Sequence, residues 1–454
     1  MPEQADMHKV KRDILREGAA TGVFDGLFPN FVTPYAIALG AGNELIGVIN
    51  AIPEFASNIF QWFEGRFFER RDGRKDLTRY FALAARLALI PLILIPFFFS
   101  SIGIPVLIFS IAFYAFLRGF GSTGWYSWIP ELIPCKEWGK FFGDRNMIAT
   151  AFSFIATMFA GWFLGVVDGQ YGFSMLFGLS LLSAIFIFYF LSRVPDIKVN
   201  RPHCAMTFKT FVGSLKTYKY FKNFVLYRMG LMFTVYMMGP FIVVYILRDL
   251  NIGYEWYAAI VATELLANML VQPYWGRMAD RYGDRTVQVA CDILSLTVPL
   301  GWVFVQGPLQ MIVLAFLSGF AWAGIDLTYV NYLVEVVPPE HKPTYIGNYK
   351  MFIGMSVIAG PIVGGILANW TSTQHFMWLT GLPLLFFIAF LLRTVLTIPF
   401  LDRFKELRVQ PAPLARKVFW QMAAVRPFKG LIHGFEHAPH YVHYYEKKFA
   451  KVVK

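Results

Sequence analysis

Gly276, Arg277, Asp280, Arg281, Gly283 and Arg285 lie together in one short polar segment, GRMADRYGDRT, between two long apolar runs. Glycine permits a tight turn and a close backbone approach. A carboxylate flanked by guanidinium groups holds charge-assisted hydrogen bonds that can break and reform. A blurred copy stands at EGRFFERRDGRK, with Gly65, Arg66, Glu69 and Arg70. A basic, glycine-marked hairpin used twice reads as a latch, or more plainly as arginines that hold a loop on one side of a membrane.

Two carboxylates deep in apolar runs come next. Glu54, in PEFASN, and Glu264, in TELLAN, each lie roughly ten positions into a run, near a bilayer midplane, where ionisable groups are costly and face a cavity or a partner. Such a group can load and release a proton as its access to water alternates, which makes both coupling candidates. The plainer reading is an acid that pairs locally and serves packing. Asp25, Arg118, Arg228 and Asp326 form a second set, two acids and two bases in otherwise apolar surroundings. They suit pairs that close a gate between bundles, or a charged solute; the alternative is salt bridges inside one bundle.

Soluble catalysis is not written in this chain. It has no phosphate-cradling GxxxxGK[ST], no HExxH and no GxSxG, so it reads as a non-enzyme without a cofactor. Cys135, Cys204 and Cys291 show no CxxC spacing, and His433, His437, His440 and His443 lack a regular ligand pattern. Neither set is read as a metal site.

The elements that must position these residues are membrane helices. Of 454 residues 56% are hydrophobic and 15% charged, and Phe alone supplies 47; a soluble fold needs more polar surface. Mean hydropathy is +0.49. With about 20 apolar residues per crossing, the predicted spans fall near 18–40, 44–63, 79–100, 103–130, 144–167 and 172–193, then near 223–247, 254–275, 287–306, 308–333, 345–369 and 374–400. The fold class is all-α and integral to the membrane, with twelve helices arranged six and six. Its expected parts are an N-terminal segment 1–17, a bundle 18–193, a linker 194–222, a second bundle 223–400 and a tail 401–454.

Lys and Arg set the orientation, since these residues stay on the cytoplasmic side. Lys9, Lys11, Arg12 and Arg16, then Arg66, Arg70, Arg71, Arg74 and Lys75, then Lys136, Lys140 and Arg145 all fall on one side; the other side offers little beyond Arg248. Both termini are therefore expected in the cytoplasm, in the cell membrane. The N-terminus lacks the pattern of a secretory signal. The net charge of +12 marks topology and requires no nucleic acid.

Internal repetition supports two related halves around a central site. Phe116–Gly124, FLRGFGSTG, aligns with Phe316–Gly324, FLSGFAWAG, and Glu131, Pro134 and Gly143 then match Glu335, Pro338 and Gly347. The hairpins keep the same register, with Gln61 and Gln272 equally far from their glycines. On these features the chain resembles the major facilitator superfamily, whose signature loop GxxxDRxGRR joins helices two and three; the resemblance covers roughly residues 18–400. The copy at Gly276–Arg285 is the better match, with Asp284 where the family usually has Arg. In the first copy Glu69 replaces the acid and Gly73 falls one place late. The resemblance implies two six-helix bundles, a latching role for Asp280, Arg281, Glu69 and Arg70, and a central cavity lined by the first, fourth, seventh and tenth helices, on which Asp25, Arg118, Arg228 and Asp326 lie.

Gly354–Gly365, GMSVIAGPIVGG, is similar to an antiporter pattern but falls on the eleventh span instead of the fifth. It reads as a close-packing stripe with a proline bend. The tail interleaves Phe419, Trp420 and Phe428 with Arg416, Lys417, Arg426 and Lys429, a composition that suits an anionic inner leaflet or a partner protein. The expected function is secondary transport of a small organic solute by alternating access, driven by protons. The alternative is a non-transporting sensor, scaffold or assembly factor that acts through the tail.

Overall fold

The computed structural model describes residues 4–69, 74–134, 137–167, 169–196, 213, 219–336, 342–376 and 379–401. The tail with its histidines, most of the linker and Arg70 lie outside them.

The first half runs α1 (Gln4–Leu27), α2 (Pro29–Ala38), α3 (Asn43–Glu69), α4 (Arg74–Leu87), α5 (Ile90–Ile93), α6 (Ile95–Phe98), α7 (Gly103–Leu132), α8 (Trp138–Val166) and α9 (Gln170–Arg193). The second runs α10 (Lys219–Val244), α11 (Tyr254–Tyr282), α12 (Asp284–Phe304), α13 (Pro308–Val336), α14 (Lys342–Thr373) and α15 (Leu382–Leu401). Helix is the form that satisfies every backbone N–H and C=O within one segment, as lipid demands. Proline accounts for the breaks. Pro29 opens α2 after a kink at Phe28, and Pro91 and Pro96 open the short α5 and α6, where a missing N–H and a ring clash prevent one straight rod.

Among the described residues nine helices are long and apolar enough to cross a membrane. The expected twelve also takes in α1 with α2, α3 and α11, which do not meet that measure; α1 opens with Lys9, Lys11, Arg12, Asp13, Arg16 and Glu17. The N-terminal segment is helical from Gln4. Val10 and Ile14, one turn apart, bury against Trp128, Ile129 and Leu132, so much of it belongs to the packed first half. The last expected span begins later than the sequence suggests, because β1 (His375–Phe376) pairs antiparallel with β2 (Leu379–Thr380) before α15 starts.

Packing repeats between the halves. In the first, α1 packs on α8 and α9, α4 on α7 and α9, and α3 on α7; in the second, α10 packs on α14 and α15, α12 on α13 and α15, and α11 on α13. The large contacts across the halves, α3 with α14 and α8 with α11, are themselves a related pair. Both close at one face. Gly47 meets Pro361 and Gly365, Gly365 approaches the Asn43 carbonyl oxygen at 2.9 Å, and Gly161 meets Ala258 and Tyr254. Arg248 donates to Asn43 at 2.7 Å and Asn369 donates to Glu44 at 2.8 Å at the same end. The antiporter-like stripe thus serves close packing: Gly360 and Gly364 sit against Phe233 and Met237 of α10, and Gly365 against α3. Phe109, Phe113 and Trp162 face outward, as lipid-facing side chains do.

Candidate functional site

Asp25 on α1, Arg86 on α4 and Arg118 on α7 gather in the first half. All three lie within electrostatic reach of one another, with Tyr114 one helical turn before Arg118. The Arg86 guanidinium stacks 4.6 Å from the Phe24 ring centroid and donates to the Ala82 carbonyl oxygen at 2.9 Å. Glu54, midway along α3, lies within reach of Arg118. Arg118 is itself exposed, though the protein surrounds it, so it opens onto the space between the halves. Below this group Arg145 of α8 pairs with the buried Glu17 at 2.9 Å and stacks 4.4 Å from Trp125.

The second half places Arg228 of α10 at the matching position, only 2% exposed. Its Nε donates to the Tyr349 hydroxyl at 3.2 Å, and its guanidinium lies 4.5 Å from the Tyr329 ring centroid. Asp326 of α13 lies within reach of it, as does the wholly buried Asp292 of α12. The Gln288 amide donates to Asp292 at 3.0 Å, Thr328 donates to the Gln288 oxygen at 2.6 Å, and Arg393 of α15 donates to the Ser295 carbonyl oxygen at 3.1 Å.

The two groups carry opposite charge at related places. Helices α1, α4 and α7 contribute acid, base, base; their counterparts α10, α12 and α13 contribute base, acid, acid. The four charges expected at a gate between bundles are instead electrostatic neighbours inside their own halves, because each pair sits on helices that pack within a bundle. Glu264 is likewise tied locally, accepting the Ser318 hydroxyl at 2.7 Å across α11 and α13.

Tyrosines join the halves. Tyr236 of α10 lies within reach of both Glu54 and Asp326. Tyr126 of α7 lies within reach of Arg118 and Tyr329, and the Lys350 ammonium of α14 sits 5.8 Å from its ring centroid. Tyr126 is 70% exposed, in keeping with an open space at its end of the bundle.

The signature hairpin is partly as expected. Gly276, Arg277, Asp280 and Arg281 complete α11, and Gly283, at φ +86°, makes the turn into α12; that left-handed backbone favours glycine. Asp280, Arg277 and Arg281 are exposed, and Arg285 is partly buried. The buried acid is Asp284, 1% exposed, which accepts from the Asn331 amide at 2.9 Å. Gly65, Arg66 and Glu69 lie at the end of α3. Away from the membrane spans, a hydrogen bond and the charge of Lys11 hold the Glu137 carboxyl below its usual range.

Arg86, Asp292 and Lys350 were absent from the sequence-based candidates. The signal was available, since each is an ionisable residue inside an apolar run.

Residues 224–435 match the Major Facilitator Superfamily model. A stretch of 113 residues, 25% of this chain and 28% of the relative, is 28% identical to the Multi-drug resistance efflux pump PmrA homolog of Lactococcus lactis. Another of 167 residues, 36% of this chain and 43% of the relative, is 26% identical to the Quinolone resistance protein NorA of Staphylococcus aureus. The chain thus spans less than half the length of these curated relatives. Among solved structures, a mutant of the nucleoside transporter NupG superposes with TM-score 0.71 at 14% identity, covering 87% of this chain and all of that one. A bacterial homolog of the human lysosomal transporter Spinster, inward-facing and unoccupied, superposes with TM-score 0.63 at 11% identity, covering 92% and 99%. At these identities the likeness is one of fold.

Proposed function

The chain belongs to the major facilitator superfamily and is a membrane transporter, and on that footing we propose that it moves a small organic solute across the cell membrane by alternating access, coupled to protons through Glu54. The observation that carries this reading is the different setting of two related carboxylates. Glu54 neighbours the exposed Arg118 at the opening between the halves, whereas Glu264 is held by Ser318 inside one half. A carboxylate beside a cation that faces water on one side of the cycle can exchange a proton and alter its attraction to that cation. Glu54 is therefore the coupling residue in this reading and Glu264 a packing residue.

Large contacts at one face, together with the exposed Arg118 and Tyr126, support a state closed at that face and open at the other. With both termini cytoplasmic, this is the inward-open state. The relatives named for multidrug efflux and quinolone resistance support an organic cargo.

The test is pH-gradient-driven flux of a solute library in proteoliposomes, with wild type, Glu54→Gln and Glu264→Gln. Gradient-driven flux should be lost in Glu54→Gln and kept in Glu264→Gln. Flux that ignores the gradient in all three proteins rejects proton coupling, and no flux of any solute favours the scaffold reading.

A further inference from the structure

The charges at the opening fall into two poles, and each pole draws one residue from each half. Glu54 of the first half and Asp326 of the second both lie within reach of Tyr236. Arg118 of the first half and Lys350 of the second both lie at Tyr126, Lys350 at 5.8 Å from its ring centroid. Ion pairs that serve the fold alone are buried with matched partners, as Glu17 and Arg145 are, with exposures of 5% and 13%. Arg118 and Lys350 are exposed instead. Arg228, in contrast, is buried against Tyr349 and Tyr329, and its Nη1 has no hydrogen-bond partner. A cavity with a carboxylate pole and a separate cation pole, each edged by an aromatic face, matches a solute that carries both charges.

Given the transport reading on which this rests, we infer that the cargo is a zwitterion, its anionic group held between Arg118 and Lys350 and its cationic group between Glu54 and Asp326 at Tyr236. A pole assembled from both halves also ties binding to their relative position, since a rocking motion must part Arg118 from Lys350. A solute with a single charge satisfies one pole and leaves the other to water.

The test uses the purified full-length chain in proteoliposomes and matched triples of probes: an amino acid, its methyl ester and its N-acetyl derivative, for tyrosine, leucine and a series of ω-aminoalkanoic acids. The zwitterion of at least one triple should compete for flux about tenfold or more better than either singly charged partner, the range expected for one charge-assisted contact. Arg118→Gln should erase the advantage over the ester and keep the advantage over the N-acetyl acid; Asp326→Asn should do the reverse. If Arg118→Gln does not fold, the exposed Lys350→Met tests the same pole. Flux of other solutes with no zwitterion preference in any triple overturns this inference and leaves the transport reading standing. Absence of all flux overturns the transport reading as well.

Discussion

Ser318 donates its hydroxyl hydrogen to Glu264 at 2.7 Å, and the repeat that aligns FLSGFAWAG with FLRGFGSTG puts Arg118 in the place of Ser318. The partners of the two related glutamates are therefore themselves related. One half keeps a carboxylate beside a guanidinium and the other keeps a carboxylate beside a hydroxyl. Only the first arrangement changes its charge balance when the carboxyl is protonated. Ser318→Ala should lower stability by about 1–3 kcal/mol through the lost hydrogen bond to a partly buried acid, read as a lower Tm in detergent, with proton-driven flux retained. Ser318→Ala with unchanged Tm and abolished coupling reverses the assignment of the two acids.

The closed face rests on residues that lack side chains. A Cβ at Gly47 collides with the Pro361 carbonyl oxygen, and one at Gly161 with the Ala258 side chain and the Tyr254 carbonyl oxygen. These contacts join opposite halves, so a larger residue there opposes closure more than it opposes folding of either half. Gly47→Leu and Gly161→Leu should each shift the population toward the opposite-facing state and slow flux at least tenfold, with a Tm change of a few degrees at most. Spin-label distances between Gly42→Cys and Gln374→Cys report the shift; distances unchanged from the parent with full flux argue that the face does not gate.

The helical layout was legible because apolar run length and the position of Lys and Arg are one-dimensional signals. The repeat even printed the Arg118 and Ser318 contrast. Its meaning was hidden, since facing depends on how each helix is rotated against its neighbours, which no run length records. The same limit explains Asp25, Arg118, Arg228 and Asp326, whose neighbours inside each half depend on packing such as that of α10 with α14. It explains the hairpin too: Gly283 ends α11 and leaves Asp284 as the first residue of α12, where it turns toward Asn331, so the acid that departs from the family pattern is the buried one.

Acid sensitivity should appear at the Lys11–Glu137 pair, which ties α1 to the start of α8. A hydrogen bond and the charge of Lys11 hold the Glu137 carboxyl below its ordinary value in the folded protein. A group depressed in this way stabilises the fold at pH above its unfolded pKa, and the contribution is lost as pH falls through the folded value. Glu137→Gln should therefore lower Tm slightly at neutral pH, and the gap to wild type should narrow as pH drops below about 4.3, the ordinary glutamate value. Both side chains are accessible, so the gap should also shrink with salt. A gap that widens on acidification contradicts the pairing.

Away from the opening, Gln288 bridges Thr328 and Asp292: its oxygen accepts from Thr328 at 2.6 Å while its amide donates to Asp292 at 3.0 Å. All three are buried, on two adjacent helices, α12 and α13. Inside a low-dielectric bundle such a chain stabilises only when complete, and one missing link leaves a polar atom without water. Gln288→Leu keeps similar bulk but removes both contacts, stranding a carboxylate oxygen and a hydroxyl. The expected cost is about 2–4 kcal/mol, larger than for Asp292→Asn, which keeps shape and an acceptor. Because the two residues share one hydrogen bond, the Gln288→Leu and Asp292→Leu double mutant should be less damaged than the sum of the singles by about 0.5–3 kcal/mol. Tm values for the four proteins in lipid nanodiscs decide this; strict additivity means that the bridge contributes nothing to the fold, and the polar pair must then be sought a role in the transport cycle by measuring flux in the same variants.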